Sequence, residues 1–266
     1  MGEIMLAFYR SFVVQFKRKQ QKTKMTNNQN LLDGSERSMI PILKYGLGLV
    51  NRDTKKSVIQ LEEFSAGTGI SDLTVFTLDK RILAKRKNDI RKPITSRNQI
   101  KVLTALMAHN GATIQQLSTE TTLTKPTLSK ILESLESSNV VTKEGTSYIP
   151  NAMLRNASTE NIIAIEAKVK DWKSGVRQAM RYKEYADFSY LAIYESHIKG
   201  CLSNITIFEQ LGIGLIGVSD EGVILHLEAK KSEVTNPESR LLAFERMISI
   251  VDVRHESYVA RNGFVS

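Results

Sequence analysis

Short apolar runs alternate with amphipathic stretches along this chain, a pattern typical of mixed α/β proteins. The run at 162–165 is short and rich in β-branched isoleucine, so it predicts a buried strand that continues to Lys168. Asp171 is predicted to cap the next helix, which we expect to reach about Ala186. Further strands are predicted at 58–64, 70–78, 187–194, 213–218 and 223–227, and further helices at 1–20, 35–51, 196–211 and 237–251.

The middle of the chain has a different pattern, with three short amphipathic helices followed by a hairpin. The first helix is predicted at 98–109, the second begins at 113 and the third ends at 138. The strands of the hairpin are predicted at 139–143 and 147–149. Thr124 is the predicted cap of the third helix, with Pro126 in its first turn. This order resembles a winged helix-turn-helix over about residues 98–152.

In that family the third helix enters the major groove and the wing contacts the backbone. By position, the resemblance implies DNA contacts at Lys125, Thr127, Ser129 and Lys130 on the helix and at Lys143 on the wing. The segment carries four lysines and four glutamates, so it is neutral and would bind phosphate weakly by itself. A module for dimerisation or protein docking is the alternative.

Composition narrows the class of protein. The 266 residues suffice for one large or two modest domains. Cys201 is the single cysteine, which excludes an internal disulfide framework and a cysteine-rich zinc site. The longest apolar run, 211–218, is too short to span a bilayer, and no secretory signal is visible. We therefore expect a cytoplasmic protein without a membrane segment.

Positive charge is concentrated in two segments of the chain. Of the net charge of +9, residues 1–30 contribute +5 and residues 80–97 contribute +7, which leaves −3 for the rest. Two basic segments on a nearly neutral body favour nucleic acid as the partner, with a solvated surface as the alternative. Lys85, Arg86 and Lys87 are the candidate DNA contacts in the second segment.

Charged side chains stand at the end of the strand that contains the 162–165 run. Period-two alternation puts Glu166 and Lys168 on one face of the strand. On the following helix, Gln178 and Tyr182 are four residues apart and share a face. A carboxylate and an ammonium at this position are costly to bury, which indicates a functional site.

These residues resemble the motifs of the PD-(D/E)xK nuclease superfamily, in the branch that carries a QxxxY motif. Residues 166–168 match (D/E)xK, and residues 178–182 match QxxxY. Asp72, in Gly-Ile-Ser-Asp-Leu-Thr-Val-Phe, resembles the PD element with serine in place of the proline. The resemblance implies a restriction-endonuclease-like α/β (α+β) fold, in which helices flank a mixed sheet.

Asp72 and Glu166 would be neighbours in such a core, although the winged-helix segment separates them in sequence. The resemblance therefore predicts that the winged helix is inserted between two parts of a nuclease core. The predicted division is a basic N-terminal helix and linker at 1–30, a first core part at 31–97, the winged helix at 98–152, and a second core part with the C-terminal helix at 153–266.

The implied activity is that of a Mg²⁺- or Mn²⁺-dependent deoxyribonuclease. Asp72, Glu166 and the backbone carbonyl of Ala167 are the implied ligands, and such oxygen donors suit either cation. Lys168 would orient or deprotonate the attacking water and stabilise the phosphorane charge. Glu36 is a further candidate ligand, with a favourable interaction with the helix dipole as the alternative.

The QxxxY helix carries the remaining candidates. Gln178 and Tyr182 are implied to position the nucleic-acid strand or its waters, and Arg177 and Arg181 are candidate phosphate contacts. A second Glu-Ala-Lys at 228–230 is not followed by Gln-x-x-x-Tyr, so it is interpreted as a chance repeat.

Two other functions fit the same residues. The first is a DNA-binding regulator in which the winged helix is the functional part and the nuclease fold is inactive. The second is an assembly subunit of a defence or transposition complex, which needs protein partners for activity. A homodimer is compatible with each of the three functions.

Overall fold

The computed structural model describes residues 32–48, 56–90, 92–154 and 161–262, so the helix and linker predicted at 1–30 lie outside it. The chain divides into two compact units. Of the described residues, the first unit contains 32–48, 56–64, 69–77 and 162–233, and the second contains 65–68, 78–90, 92–154, 161 and 234–262.

The first unit is built on a six-stranded sheet. Its strands, numbered in chain order through the whole protein, are β1 Lys56–Ser65, β2 Ile70–Asp79, β6 Asn161–Lys168, β7 Phe188–Tyr194, β8 Gly214–Ser219 and β9 Gly222–Leu227. They are arranged in the order β1-β2-β6-β7-β8-β9. Strands β6, β7 and β8 are parallel and β9 is antiparallel to β8, so the sheet is mixed. The predicted mixed α/β class is confirmed.

Helices pack on both faces of this sheet. They are α1 Glu36–Gly48, α6 Trp172–Tyr182, α7 Lys199–Leu202 and α8 Ile205–Leu211. Met39 of α1 shares one apolar core with Ile165 of β6, while Val176 of α6 shares another with Leu191 of β7. Because side chains alternate along a strand and Ile165 faces the α1 core, Glu166 faces the α6 side.

The predicted helix at 196–211 is wrong in one respect, since the region forms a 3-10 turn followed by α7 and α8. Asn204 interrupts it. Its side-chain Nδ2 donates to the Gly200 carbonyl at 2.9 Å, the acceptor that the backbone amide of residue 204 would use in a continuous helix. The Asn204 amide turns to the Cys201 carbonyl instead, at 3.0 Å.

The second unit contains a three-helix bundle with a small sheet. Its elements are α2 Lys80–Asp89, α3 Arg97–His109, β3 Ala112–Thr113, α4 Ile114–Thr121, α5 Lys125–Ser137, β4 Val141–Glu144, β5 Ser147–Pro150 and α9 Pro237–Asn262. The three strands are ordered β3-β5-β4. Leu103, Leu117 and Leu132 bring α3, α4 and α5 together in one apolar core. The predicted three helices and hairpin are confirmed.

Element α2 was not predicted as a helix. The basic segment is helical because Asp79 caps it: the Asp79 carboxylate accepts from the Arg81 amide at 2.7 Å. Three further boundaries differ from the sequence expectation, since α1 ends at Gly48, α6 ends at Tyr182 and α9 continues to Asn262. Among the described residues, no helix combines the length and the apolar character that crossing a membrane requires.

Candidate active site and nucleic-acid interface

Lys168 lies at the centre of a charged cluster at the end of β6. Its Nζ is 2.8 Å from Glu166 Oε1 and 3.2 Å from Glu36 Oε2. Glu166 is buried, whereas the Glu36 side chain is 43 % exposed. Burial lowers the pKa of Lys168, but its hydrogen bond to Glu166 and the two carboxylate charges outweigh that effect and raise it. The lysine is therefore held as an ammonium between two carboxylates.

A glycine in α6 makes room for this lysine. A Cβ built at Gly175 would lie 3.0 Å from Lys168 Cγ and 2.4 Å from Leu191 Cδ1. A larger residue at 175 would therefore push α6 away from β6 and β7. Glycine in the middle of a helix costs roughly 1 kcal/mol relative to alanine, so close packing here outweighs that cost.

Tyr182, in the last turn of α6, holds the second oxygen of Glu166. Its hydroxyl donates to Glu166 Oε2 and lies 2.6 Å from the Ile70 carbonyl of β2. The ring is buried, and burial together with the neighbouring Glu166 raises the pKa of Tyr182. The (D/E)xK and QxxxY segments thus meet in one hydrogen-bonded cluster.

Asp72 lies beside the same strand. Its Oδ2 accepts a hydrogen bond from the Ala167 amide at 2.7 Å, although the two residues are 95 positions apart. Burial raises the pKa of Asp72 and, with the nearby Asp72 charge adding to the effect, that of Glu166. The structure therefore brings together Asp72, Glu166 and Lys168, with Glu36 joined through the lysine.

The residues of this cluster fit a hard divalent cation. The Asp72 and Glu166 carboxylates supply oxygen donors, and a cation between them would stabilise the charged forms that burial disfavours by raising both pKa values. In the part of the chain that the structure describes, no group of three or more His, Cys, Asp and Glu side chains is arranged to hold a metal. Such a site would use the Asp72 and Glu166 carboxylates with the Ala167 carbonyl and water, while both Glu36 and Glu166 contact Lys168.

The other residues of the QxxxY helix occupy two different positions. Gln178 has a buried Oε1 that no hydrogen-bond partner satisfies. An unsatisfied buried amide oxygen is costly unless a ligand or water completes it. Arg177 and Arg181 are exposed on the outer side of α6, outside the cluster.

The predicted DNA contacts of the winged helix are distributed over α5 and the wing. Lys125 and Lys130 are exposed, and Ser129 is half-buried. Thr127 takes part in the helix cap, with its hydroxyl 2.9 Å from Thr124 Oγ1. On the wing, Lys143 is exposed and lies over the Tyr148 ring at 5.7 Å.

The three candidate DNA contacts of the basic segment all lie on α2, but they differ in exposure. Lys85 is exposed and Lys87 is half-buried, but Arg86 is 1 % exposed, so the prediction of Arg86 as a DNA contact is wrong. Arg86 forms a bidentate pair with Glu245, with Nε and Nη2 at 3.1 and 2.6 Å from the two oxygens. Glu245 Oε2 also accepts from the Ile94 amide at 2.8 Å.

Glu245 was missed in the sequence. The signal was a glutamate inside the apolar run Leu-Leu-Ala-Phe-Glu-Arg-Met of α9, where a charge requires a buried partner. A second missed pair is Glu195 and His226, whose Oε2 and Nε2 are 2.9 Å apart. A Cβ at Gly217 would lie 1.7 Å from that Glu195 oxygen, so only glycine leaves room for the pair.

Comparison with known proteins identifies part of the chain. Residues 95–142 match a family model described as winged helix-turn-helix DNA-binding, and they contain α3, α4, α5 and the start of the wing. The second unit therefore contains a winged-helix DNA-binding domain, and this match supports DNA as a binding partner. No curated protein and no solved structure matches the chain.

Proposed function

We propose that the chain is a metal-dependent deoxyribonuclease of the PD-(D/E)xK superfamily that docks on DNA through its winged helix. The observation that carries the proposal is the Asp72 carboxylate, which accepts from the Ala167 amide inside the (D/E)xK motif. Residues far apart in sequence thus lie close enough to support metal-assisted phosphodiester hydrolysis. The restriction-endonuclease-like fold and the insertion of the winged helix belong to the same proposal.

Asp72, Glu166 and the carbonyl of Ala167 would hold Mg²⁺ or Mn²⁺. The bound cation would supply charge neutralisation at the phosphate and a more acidic water. Tyr182 fixes the rotamer of Glu166 through Oε2. Burial with a satisfied second oxygen leaves Glu166 oriented before substrate binds, which lowers the reorganisation required during the reaction.

Lys168 would act on the attacking water and on the charge that develops at the phosphoryl oxygens. Its raised pKa favours the second role, since the ammonium keeps its proton at neutral pH. Glu36 also contacts Nζ, at 3.2 Å, and so acts as a positioning residue. The unsatisfied Gln178 Oε1 offers an acceptor to a water of the site.

Cleavage of labelled duplex, single-stranded and branched DNA with Mg²⁺ or Mn²⁺ tests the proposal. Lys168→Ala should reduce the rate on the order of a hundredfold or more while DNA affinity and metal binding stay close to wild type. Glu166→Ala should lose both metal binding and cleavage. Glu228→Ala and Lys230→Ala, in the second Glu-Ala-Lys, are matched controls and should cleave normally.

Two outcomes would decide against the nuclease. Full activity in Lys168→Ala would place the chemistry elsewhere. Absence of cleavage by the wild type on all three substrates, with DNA binding retained, would favour a DNA-binding regulator, which the winged-helix match supports equally. Activity that appears only when further proteins are added would favour the assembly subunit, and size-exclusion chromatography with DNA would report a homodimer.

A further inference from the structure

Helix α2 belongs to the winged-helix unit but lies outside the residues that match the family model. Ile90 and Ile94, at its end and in the following segment, are buried in the winged-helix core, and Ile82 packs against that core. The Arg86–Glu245 pair holds α2 against α9. Since both side chains are almost fully buried, α2 is fixed in a single rotation about its axis.

This rotation determines which cations reach solvent. Lys80, Arg81 and Lys85 are exposed, and Arg81 and Lys85 are neighbours because they are four residues apart on the helix. The two carboxylates of this region stand at the helix ends, where Asp79 serves as the cap. The middle of α2 therefore presents a positive surface without a carboxylate of its own.

The α2 helix ends beside the joint between the two DNA-contacting elements of the winged helix. Asn139 Nδ2 donates to the Asp89 carbonyl of α2 at 2.5 Å. The Asn139 amide donates to the Glu136 carbonyl in the last turn of α5 at 2.9 Å, and β4 begins two residues later at Val141. Helix α2 is about 15 Å long at 1.5 Å per residue, which is less than half of one duplex turn of about 34 Å.

The winged helix lacks the charge that DNA affinity requires. On the exposed side of α5, Lys125 and Lys130 are balanced by Glu133 and Glu136. Most non-specific affinity for DNA comes from neutralised phosphates, so a neutral module needs cations from a neighbouring element. Helix α2 is the basic element that packs on the winged-helix core.

We propose that Lys80, Arg81 and Lys85 of α2 form a phosphate-binding surface for the duplex DNA that the winged helix docks. The proposal rests on the DNA docking included in the proposed function, but it is independent of cleavage. In this arrangement α5 and the wing set the register on the duplex, whereas α2 supplies affinity that does not depend on sequence. Arg86 fixes the orientation of α2 through its buried pair with Glu245 and does not itself contact DNA.

Fluorescence anisotropy with a labelled random-sequence duplex, in EDTA and over a range of salt concentrations, tests this surface. The variant Lys80→Gln/Arg81→Gln/Lys85→Gln should bind about tenfold or more weakly at ~0.1 M salt. Its slope of log K against log salt should fall by roughly 2–3, at about 0.9 for each lost phosphate contact. The loss should be the same on duplexes of different sequence.

Lys199→Gln/Lys230→Gln/Lys231→Gln is the matched control, because it removes three exposed lysines of the first unit. Its salt slope should equal that of the wild type. Lys80→Arg/Lys85→Arg keeps the charge and should keep the slope, which guards against a folding defect in the glutamine variant.

The outcomes separate this surface from the DNA docking on which it rests. An unchanged slope in the α2 variant, with duplex binding weakened by Lys125→Gln/Lys130→Gln, would overturn the α2 surface and leave the docking intact. Equal losses in the α2 variant and the control would show only an effect of net charge and would also overturn it. A wild type that binds no duplex at low salt would overturn the docking and the α2 surface together.

Discussion

Tyr182→Phe removes one oxygen atom from the centre of the proposed site. That hydroxyl is buried, donates to the Glu166 carboxylate and lies 2.6 Å from the Ile70 carbonyl. Because the hydroxyl has a single proton, it makes one full hydrogen bond, and a bond to a charged group contributes about 1.5–3 kcal/mol. We therefore expect the variant to lose about 1.5–3 kcal/mol, or roughly 3–12 °C in the melting temperature of a unit of this size.

The loss should depend on pH with a definite sign. Burial raises the pKa of Glu166, and the Tyr182 hydrogen bond opposes that rise because it stabilises the ionised form. Removing the hydroxyl raises the pKa of Glu166 further. The destabilisation should therefore grow as pH rises through this pKa and be larger at about pH 8 than at about pH 5. If the nuclease proposal holds, the acid limb of the activity profile also moves to higher pH.

Two tyrosines of the same unit are controls for the melting experiment. Tyr185→Phe removes a buried hydroxyl that donates to Ser71 Oγ at 3.3 Å, a neutral contact, and should cost about 1 kcal/mol. Tyr45 is 54 % exposed, and Tyr45→Phe should leave the melting temperature unchanged. If Tyr182→Phe and Tyr45→Phe have the same melting temperature at both pH values, the hydrogen bonds of the cluster do not hold Glu166 in solution.

The remaining predictions concern Asp72 and Gln178. The raised pKa of Asp72 means that its ionised form lowers native stability above that pKa, so Asp72→Asn should melt higher than wild type at neutral pH without metal; a lower melting temperature would contradict the burial argument. If the proposed site binds Mg²⁺, the cation should raise the melting temperature of the wild type more than that of Asp72→Asn. Because Gln178→Met removes a buried acceptor that has no partner, the variant should melt at or above the wild-type temperature. If the nuclease proposal holds, it should also cleave about tenfold more slowly, as measured by single-turnover kinetics.

Features that depend on neighbouring residues were predictable from the sequence. Thr124 and Asp171 were predicted as caps, and in each case the side chain accepts from a backbone amide in the first turn of the following helix. Caps and apolar periodicity together located the winged helix, because its helices are short and its connections are tight. The neighbouring β6 and α6 were located by the same local signals.

Features that depend on distant partners were harder to predict. Arg86 stands in a run of cations and gave no sign of being buried, since its partner Glu245 is 159 positions away. The break at Asn204 depends on a side-chain hydrogen bond that replaces a backbone hydrogen bond of the helix. Helix propensity alone does not determine whether the side-chain bond or the continuous helix is formed. Asp72 was predictable only through its resemblance to a family motif, because an aspartate at the start of a strand is ordinarily a turn residue.

The cost of the cluster at the end of β6 favours a functional interpretation over a structural one. Asp72 and Glu166 both have raised pKa values because burial disfavours their charged forms, and the two charges oppose each other. Apolar side chains at these positions would pack the same space at lower cost. The two buried carboxylates, and the glycine at 175 that leaves room for Lys168 beside them, each lower the stability of the fold. A bound cation and substrate would restore that stability, which is the pattern expected of a functional site.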